Sequence, residues 1–160
     1  MYEEVEINSK KWLDLNILKN EEFRDIPEYE GLYQVSNYGR VKRNIFKNNK
    51  CCIKKEKILR CLKQQQKENS YLKITLTKNG KQQMFYIHKL VACVFLNNPN
   101  EYKEVNHKNE NKYDNKVSNL EYCSRIYNMN YGTILKRKSL AMKKYLKEKN
   151  KKTKLLEGEI

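Results

Sequence analysis

The sequence lacks the hallmarks of membrane and secreted proteins. No run of about 18 apolar residues is present to span a bilayer, and the acidic start MYEEVEINSK does not have the basic and then apolar regions of a secretion signal. The number of cysteines is odd and no two of them form a C-x-x-C pair, which argues against a disulfide framework and against a zinc knuckle. We expect a cytoplasmic protein with five reduced cysteines: Cys51, Cys52, Cys61, Cys93 and Cys123. Cys93 and Cys123 lie in apolar stretches and are expected in the core.

Positive charge is distributed unevenly along the 160 residues, which carry a net charge of +15. Residues 1–31 have 4 basic and 9 acidic side chains (−5), residues 32–100 have 15 and 2 (+13), residues 101–132 have 5 and 5 (0), and residues 133–160 have 10 and 3 (+7). Two basic blocks flank a neutral one, as expected of a protein that binds a polyanion. An A/T-rich genome also raises the lysine content, and a solvated lysine face needs no ligand, but codon bias would not concentrate the charge in two blocks.

The N-terminal part predicts a packing element and a hairpin. Residues 1–21 place apolar side chains among charges, which indicates a short element of undetermined type. In residues 22–43, apolar and polar positions alternate around Tyr33 and Val35. The turn sequence Asn-Tyr-Gly at residues 37–39 then precedes a basic strand.

The middle of the chain predicts a second hairpin and a helix. Leu72, Ile74 and Leu76 share one face of a strand, and Asn79-Gly80 supplies the positive backbone angles of a tight turn before the partner strand. In residues 88–96 apolar side chains recur at helical spacing, and the sequence Asn-Asn-Pro that follows ends the helix.

The C-terminal part predicts a basic helix. After Thr133, the apolar residues Leu135, Met142 and Leu146 form one stripe among lysines, and the helix is expected to fray near Lys149.

Residues 104–131 hold the polar groups most suited to chemistry. Residues 104–107 predict a strand, the polar stretch that follows predicts a loop, and residues 120–123 predict a second strand. Ser124 is placed to cap a helix. In this β-loop-β-α unit the ordered polar groups are His107, then Asn119 twelve residues later, then Asn128 nine residues after that.

This segment resembles the HNH endonucleases of phage and homing type, whose ββα-metal site has the same layout. The upstream sequence EFRDIPEYEGLYQVSNYGRVKR is similar to the NUMOD4 module that accompanies such nucleases, and YIHKLVACVF resembles the helix that commonly precedes the motif. The resemblance covers about residues 22–131. It implies a bacterial or phage-infected cell as the setting.

The resemblance implies a role for each polar residue. His107 matches the general base, and imidazole titrates in the range suited to that work. Asn119 matches the asparagine that holds the strand-loop geometry and orients the imidazole. Asn128 and Asn106 match the two protein ligands of one divalent ion, expected to be Mg²⁺ with Mn²⁺ able to substitute; many relatives carry Asp where this chain has Asn106. Asp114 is expected to have a turn role instead.

Basic residues outside this segment are candidate DNA contacts. Arg40, Lys42 and Arg43 lie on the basic arm of the NUMOD4-like module, where the alternative is a solvated strand. His88 and Lys89 begin a helix whose amide end favours a phosphate, and the alternative for His88 is a packed or capping side chain.

The sequence therefore predicts an α+β fold: an N-terminal NUMOD4-like DNA-binding module of small antiparallel sheet in residues 1–69, an HNH ββα-metal nuclease domain in residues 70–132, and a basic helical tail in residues 133–160. The implied function is metal-dependent hydrolysis of double-stranded DNA by a monomer, which would nick, or by a homodimer, which could cut both strands. Two alternatives stay open: a DNA-binding protein that has lost turnover through Asn106, and a structured RNA substrate.

Overall fold

The computed structural model describes residues 6–47, 53–62 and 70–157. The chain forms two compact units, one ending at Cys123 and one beginning at Ser124. The division thus differs from the predicted boundaries after residues 69 and 132, because one core joins the N-terminal module to both strands of the predicted nuclease motif. Cys51 and Cys52 lie outside the described residues.

Short antiparallel strands dominate the described part of the first unit, in agreement with the predicted α+β class. The strands are β1 (Phe23–Asp25), β2 (Tyr33–Ser36), β3 (Val41–Arg43), β4 (Phe46–Lys47), β5 (Ile53–Lys54), β6 (Lys57–Ile58), β7 (Lys73–Lys78), β8 (Lys81–Tyr86), β9 (Glu104–His107) and β10 (Leu120–Cys123). They pair as one four-stranded sheet in the order β1-β2-β3-β6 and as the two-stranded sheets β4-β5, β7-β8 and β9-β10.

The first predicted hairpin is confirmed as β2 and β3. Val35 pairs with Val41 across it, and both side chains are fully buried. Gly39 lies in the turn with a φ of +84°, a left-handed conformation that favours glycine. The hairpin thereby contributes its apolar face to the core.

The second predicted hairpin is confirmed as β7 and β8. Asn79 and Gly80 have φ values of 51° and 77°, as the tight turn requires. Leu72, Ile74 and Leu76 are buried, so the face they share packs on the core.

Helix α2 (Ile87–Phe95) begins one residue before the predicted helix. Ile87, Leu90 and Val91 recur at helical spacing and pack into the core, which fixes one face of the helix inward. Cys93 lies off this face and is exposed, so the expectation that it is a core residue was wrong, whereas Cys123 is buried as expected.

The undetermined element at the N-terminus is helix α1 (Lys10–Leu13). The Ser9 hydroxyl caps it by accepting a hydrogen bond from the Trp12 amide at 3.1 Å, and the Trp12 side chain is buried. The element therefore contributes one large apolar side chain.

Arg40 joins this N-terminal segment to the sheet. Its Nε donates to Glu21 Oε1 at 2.8 Å, its Nη2 forms an ion pair with Glu21, and both side chains are fully buried. Its Nη1 and Nη2 atoms also donate to the backbone oxygens of Trp12, Asp14 and Asn16 at 3.0, 2.7 and 2.9 Å. The prediction that Arg40 contacts DNA phosphate is corrected, because its guanidinium is enclosed and fully engaged inside the protein.

The second unit is helical in its described part. Helix α3 (Arg125–Asn130) begins after Ser124, whose hydroxyl accepts from the Tyr127 amide at 3.2 Å, as predicted. Helix α4 (Ile134–Glu157) continues past the expected fraying point, and Met142 and Leu146 are exposed on it rather than packed. None of the helices in the described residues has the length and hydropathy of a membrane-spanning segment.

Candidate active site

His107 ends β9 and lies opposite Leu120 of β10. The observed order β9, loop, β10 and α3 is the predicted β-loop-β-α order, with each element at its predicted place. Only 4% of His107 is exposed, and the short hairpin fixes its backbone. The imidazole is thus held at the edge of the core instead of moving in a surface loop.

Asn119 closes the loop between the two strands. Its Oδ1 accepts from the Asn109 amide at 3.0 Å, and its Nδ2 donates to Asn109 Oδ1 at 2.9 Å and to the Asp114 backbone oxygen at 2.8 Å. These bonds hold the loop, and none of the three reaches the His107 ring, so the expected part of Asn119 in orienting the imidazole stays a prediction. Asp114 accepts from Asn109 Nδ2 at 2.8 Å, which is the turn role expected of it.

A different amide reaches the imidazole. The Oδ1 atom of Asn115 lies 3.1 Å from Nε2 of His107, and 3% of Asn115 is exposed. The sequence did not predict a role for Asn115, because its only signal is an amide eight residues after the histidine in a loop rich in asparagine. Only the folded path of the loop distinguishes it from its neighbours.

The surroundings of His107 favour the neutral ring. Burial lowers the pKa of His107, and the positive charge of Lys112 acts in the same direction. The hydrogen bond to Asn115 Oδ1 and the charge of Asp114 oppose that decrease in the pKa. A neutral imidazole can accept a proton, which is what a general base must do.

His88 lies beside His107 in a cluster of rings. The centroid of the His88 ring lies 5.2 Å from that of His107, 4.7 Å from that of Tyr71 and 5.6 Å from that of Tyr86. Burial, and then the nearby His107, Lys89 and Lys112, lower the pKa of His88 to about 3. Only 4% of His88 is exposed, so the packed alternative is observed and its prediction as a phosphate contact is corrected.

Asn106 is next to His107 and lies opposite Glu121 in the hairpin. Its Nδ2 donates to Glu121 Oε1 at 2.8 Å, which fixes the amide because a carboxylate oxygen only accepts. Glu121 was not predicted as a site residue, although the register of the two predicted strands would have placed it opposite Asn106. The arrangement combines an amide oxygen with a neighbouring carboxylate, both hard donors of the type that Mg²⁺ prefers.

The second predicted ligand, Asn128, lies on α3 in the second unit, where its backbone amide donates to the Ser124 oxygen at 3.0 Å. Within residues 6–47, 53–62 and 70–157, no group of three or more His, Cys, Asp or Glu side chains is arranged to hold a metal ion. The assignment of the ion to Asn106 and Asn128 stays a prediction.

The remaining predicted DNA contacts differ in exposure. Lys89 is exposed at the start of α2. Lys42 is partly buried, with Nζ 3.3 Å from Glu56 and over the ring of Phe23, and Arg43 donates to the Lys55 backbone oxygen at 2.9 Å. Of the predicted set, Lys89 is thus the most accessible to a phosphate.

Comparison with known proteins identifies relatives. Residues 21–77 match the NUMOD4 motif. The chain is 40% identical over 87 residues to DNA endonuclease I-HmuI of Bacillus phage SP01, covering 54% of this chain and 43% of the relative. It is 32% identical over 76 residues to an uncharacterised HNH endonuclease of Acanthamoeba polyphaga mimivirus, covering 48% of this chain and 19% of the relative. The chain thus spans less than half the length of these two curated relatives.

A solved structure extends the likeness to most of the chain. The structure describing DNA binding and cleavage by the HNH homing endonuclease I-HmuI matches with a TM-score of 0.56 and 32% identity, covering 81% of this chain and 68% of that one. Sequence motif, curated relatives and structure therefore agree, and this chain belongs to the HNH endonuclease family and carries a NUMOD4 motif.

Proposed function

We propose that this chain is a metal-dependent DNA endonuclease that hydrolyses phosphodiester bonds with His107 as its general base. One observation carries the proposal: a buried imidazole, with its Nε2 3.1 Å from an amide oxygen, ends the first strand of a β-loop-β-α unit beside Asn106. The family supplies the substrate class, because relatives are DNA endonucleases. Double-stranded DNA is the proposed partner.

Each site residue has a separate role in the proposed reaction. His107 takes a proton from a water molecule as the water oxygen bonds to phosphorus and the bond to the 3′ oxygen breaks. The leaving oxygen takes a proton from solvent, so the products are a 5′ phosphate and a 3′ hydroxyl. Asn106 and Asn128 would hold one divalent ion, which supplies charge stabilisation at the scissile phosphate when bound. One such site cuts one strand, so a monomer nicks.

Nicking of supercoiled DNA tests this proposal. A plasmid pool with randomised inserts is incubated with the protein in Mg²⁺, in Mn²⁺ and in EDTA. We expect nicked product in both metals and none in EDTA. DNA binding without nicking in either metal would instead favour the DNA-binding alternative, and preferential competition by structured RNA would favour the RNA alternative.

The contact with Glu121 allows a sharper test of whether Asn106 binds the metal ion. Asn106→Asp alone adds a carboxylate beside Glu121, and two like charges at that distance repel each other. The double change Asn106→Asp with Glu121→Gln exchanges amide and carboxylate, so the hydrogen bond can be kept while the charge moves to the proposed ligand position. We expect this exchange to lower the Mg²⁺ concentration for half-maximal nicking, because hard cations prefer charged oxygens. An unchanged or higher requirement would mean that Asn106 does not ligate the ion.

A further inference from the structure

The amide of Asn115 has a fixed orientation between two groups. Its Nδ2 donates to the backbone oxygen of Tyr113 at 3.2 Å, and its Oδ1 faces Nε2 of His107 at 3.1 Å. Because the Tyr113 carbonyl only accepts, the amide nitrogen must point toward Tyr113 and the oxygen toward His107. A neutral imidazole that donates to this oxygen has its proton on Nε2 and its lone pair on Nδ1.

The turn at residues 37–39, in the NUMOD4 motif, packs against the segment that holds Asn115. The Val117 amide donates to the Asn37 backbone oxygen at 2.8 Å. A Cβ atom added at Gly39 would lie 2.9 Å from Asn115 Cβ, a distance that real Cβ contacts essentially never show. It would also lie 3.3 Å from both Asn115 O and Ile87 Cγ2, which is a tight contact. The position of Asn115 thus depends on a close approach that only glycine at residue 39 permits.

From these contacts we infer that the turn at residues 37–39 is a positioning element of the nuclease site: it holds Asn115, and Asn115 fixes the tautomer of His107. The NUMOD4 motif then has a second task besides any contact with DNA. The consequence for cleavage rests on the proposed function, whereas the tautomer can be measured without cleavage. Asn119 differs in role, because its amide bonds are to the loop and not to the ring.

The chain contains two histidines, so their ring nitrogens can be assigned by NMR in protein labelled with ¹⁵N-histidine. Long-range ¹H–¹⁵N spectra, recorded where both rings are neutral, show which nitrogen carries the proton. In the wild type we expect the His107 proton on Nε2. Asn115→Asp keeps an acceptor oxygen and should keep that tautomer, whereas Asn115→Leu removes the acceptor and should shift the ring toward protonation on Nδ1.

Cleavage kinetics then separate positioning from binding. For Asn115→Leu we expect kcat to fall roughly 10- to 100-fold, the size typical when an outer hydrogen-bond partner of a site is removed, with little change in DNA affinity. A His107 proton on Nδ1 in the wild type, or an Asn115→Leu variant with unchanged tautomer and kcat, would overturn the inference. If the wild type shows the expected tautomer but no nicking, the proposed function fails and the tautomer assignment stands.

Gly39→Ala tests the part played by the turn, with Gly31→Ala as its matched control. Gly39 and Gly31 have similar φ values of +84° and +72°, but an added Cβ meets nothing within 4 Å at Gly31. Backbone strain is therefore similar in the two variants, and only Gly39→Ala presses on Asn115. We expect Gly39→Ala alone to alter the His107 tautomer and lower kcat; equal spectra and kcat in the two variants would show that the turn does not position the site. Should Gly39→Ala or Asn115→Leu not fold, the wild-type spectrum still tests the inference, because a His107 proton on Nδ1 would overturn it.

Discussion

Among the described residues, the buried polar side chains around Arg40 and those around His107 form two clusters whose hydrogen-bonding groups are satisfied differently. The Arg40 guanidinium donates to both oxygens of Glu21 and to three backbone oxygens. In the histidine cluster, Nδ1 of His88 is buried and has no hydrogen-bond partner in the described part of the chain. Around Arg40 the buried charged groups are all paired, although Nε1 of Trp12 has no hydrogen-bond partner within the described ranges, whereas in the histidine cluster the atom without a partner belongs to a titratable ring. The first cluster therefore has the bonding expected of a structural ion pair, and the second has a group suited to chemistry.

This difference has a physical basis. A buried polar atom without a partner costs about 1–3 kcal/mol, so folds keep few of them. Groups with perturbed pKa values and incomplete bonding collect at functional sites. The comparison predicts that changes in the histidine cluster affect cleavage more than stability, and that changes in the Arg40 cluster do the reverse.

His107→Ala should have the largest effect on cleavage. Loss of a positioned base costs roughly 100- to 10,000-fold in rate, whereas DNA affinity should stay near the wild-type value because the basic blocks supply most of the binding. Single-turnover nicking and DNA-binding titrations measure the two quantities, and a thermal melt checks folding. Wild-type nicking rates in the variant would exclude His107 as the base.

Arg40→Leu should have the largest effect on stability. It leaves the carboxylate of Glu21 buried without its partner, and breaking a buried ion pair in this way typically costs about 3–5 kcal/mol. Adding Glu21→Leu should recover part of the loss, because the uncompensated charge is removed. Urea unfolding measures the free energies; a single variant as stable as the wild type would contradict the structural role.

His88 should make stability sensitive to acid. Its pKa of about 3 in the folded chain lies below the ordinary value of 6.5, so the unfolded chain binds the proton more readily. Its contribution is fully present above pH 6.5 and is lost as the pH falls toward 3, by at most about 1.4 kcal/mol per pH unit. His88→Phe should flatten the dependence of unfolding free energy on pH between 6.5 and 4.5, and an unchanged slope would contradict a neutral buried His88.

The sequence predicted those parts of the fold that depend on local patterns. The hairpin turns at residues 37–39 and 79–80 and the cap at Ser124 follow from residues adjacent in the chain. Arg40 was misassigned because its partner Glu21 lies 19 residues away and gives no local signal. A basic strand in a basic block suggests exposure, and only tertiary packing reveals a buried ion pair.

The same distinction between local patterns and tertiary packing applies to the candidate site. The positions of His107 and Asn119 were predicted from a motif whose residues lie at fixed, short spacings along the chain. Asn115 depends on how the loop folds and on the approach of Gly39 from 76 residues earlier, which no spacing encodes. Glu121 lies between these cases, because the strand register alone would have placed it opposite Asn106.

The smallest expected effect concerns the accessible charge of Lys89, which contrasts with the enclosed charge of Arg40. Each phosphate neutralised contributes about 0.9 to the slope of log affinity against log salt concentration. If Lys89 contacts DNA, Lys89→Gln should reduce the magnitude of that slope by about 0.9. Lys10→Gln is the matched control, because Lys10 is also exposed and the change in net charge is the same, but Lys10 lies in the acidic segment of residues 1–31. Equal slopes for the two variants would show that Lys89 acts only through net charge, and its assignment as a phosphate contact would then be withdrawn.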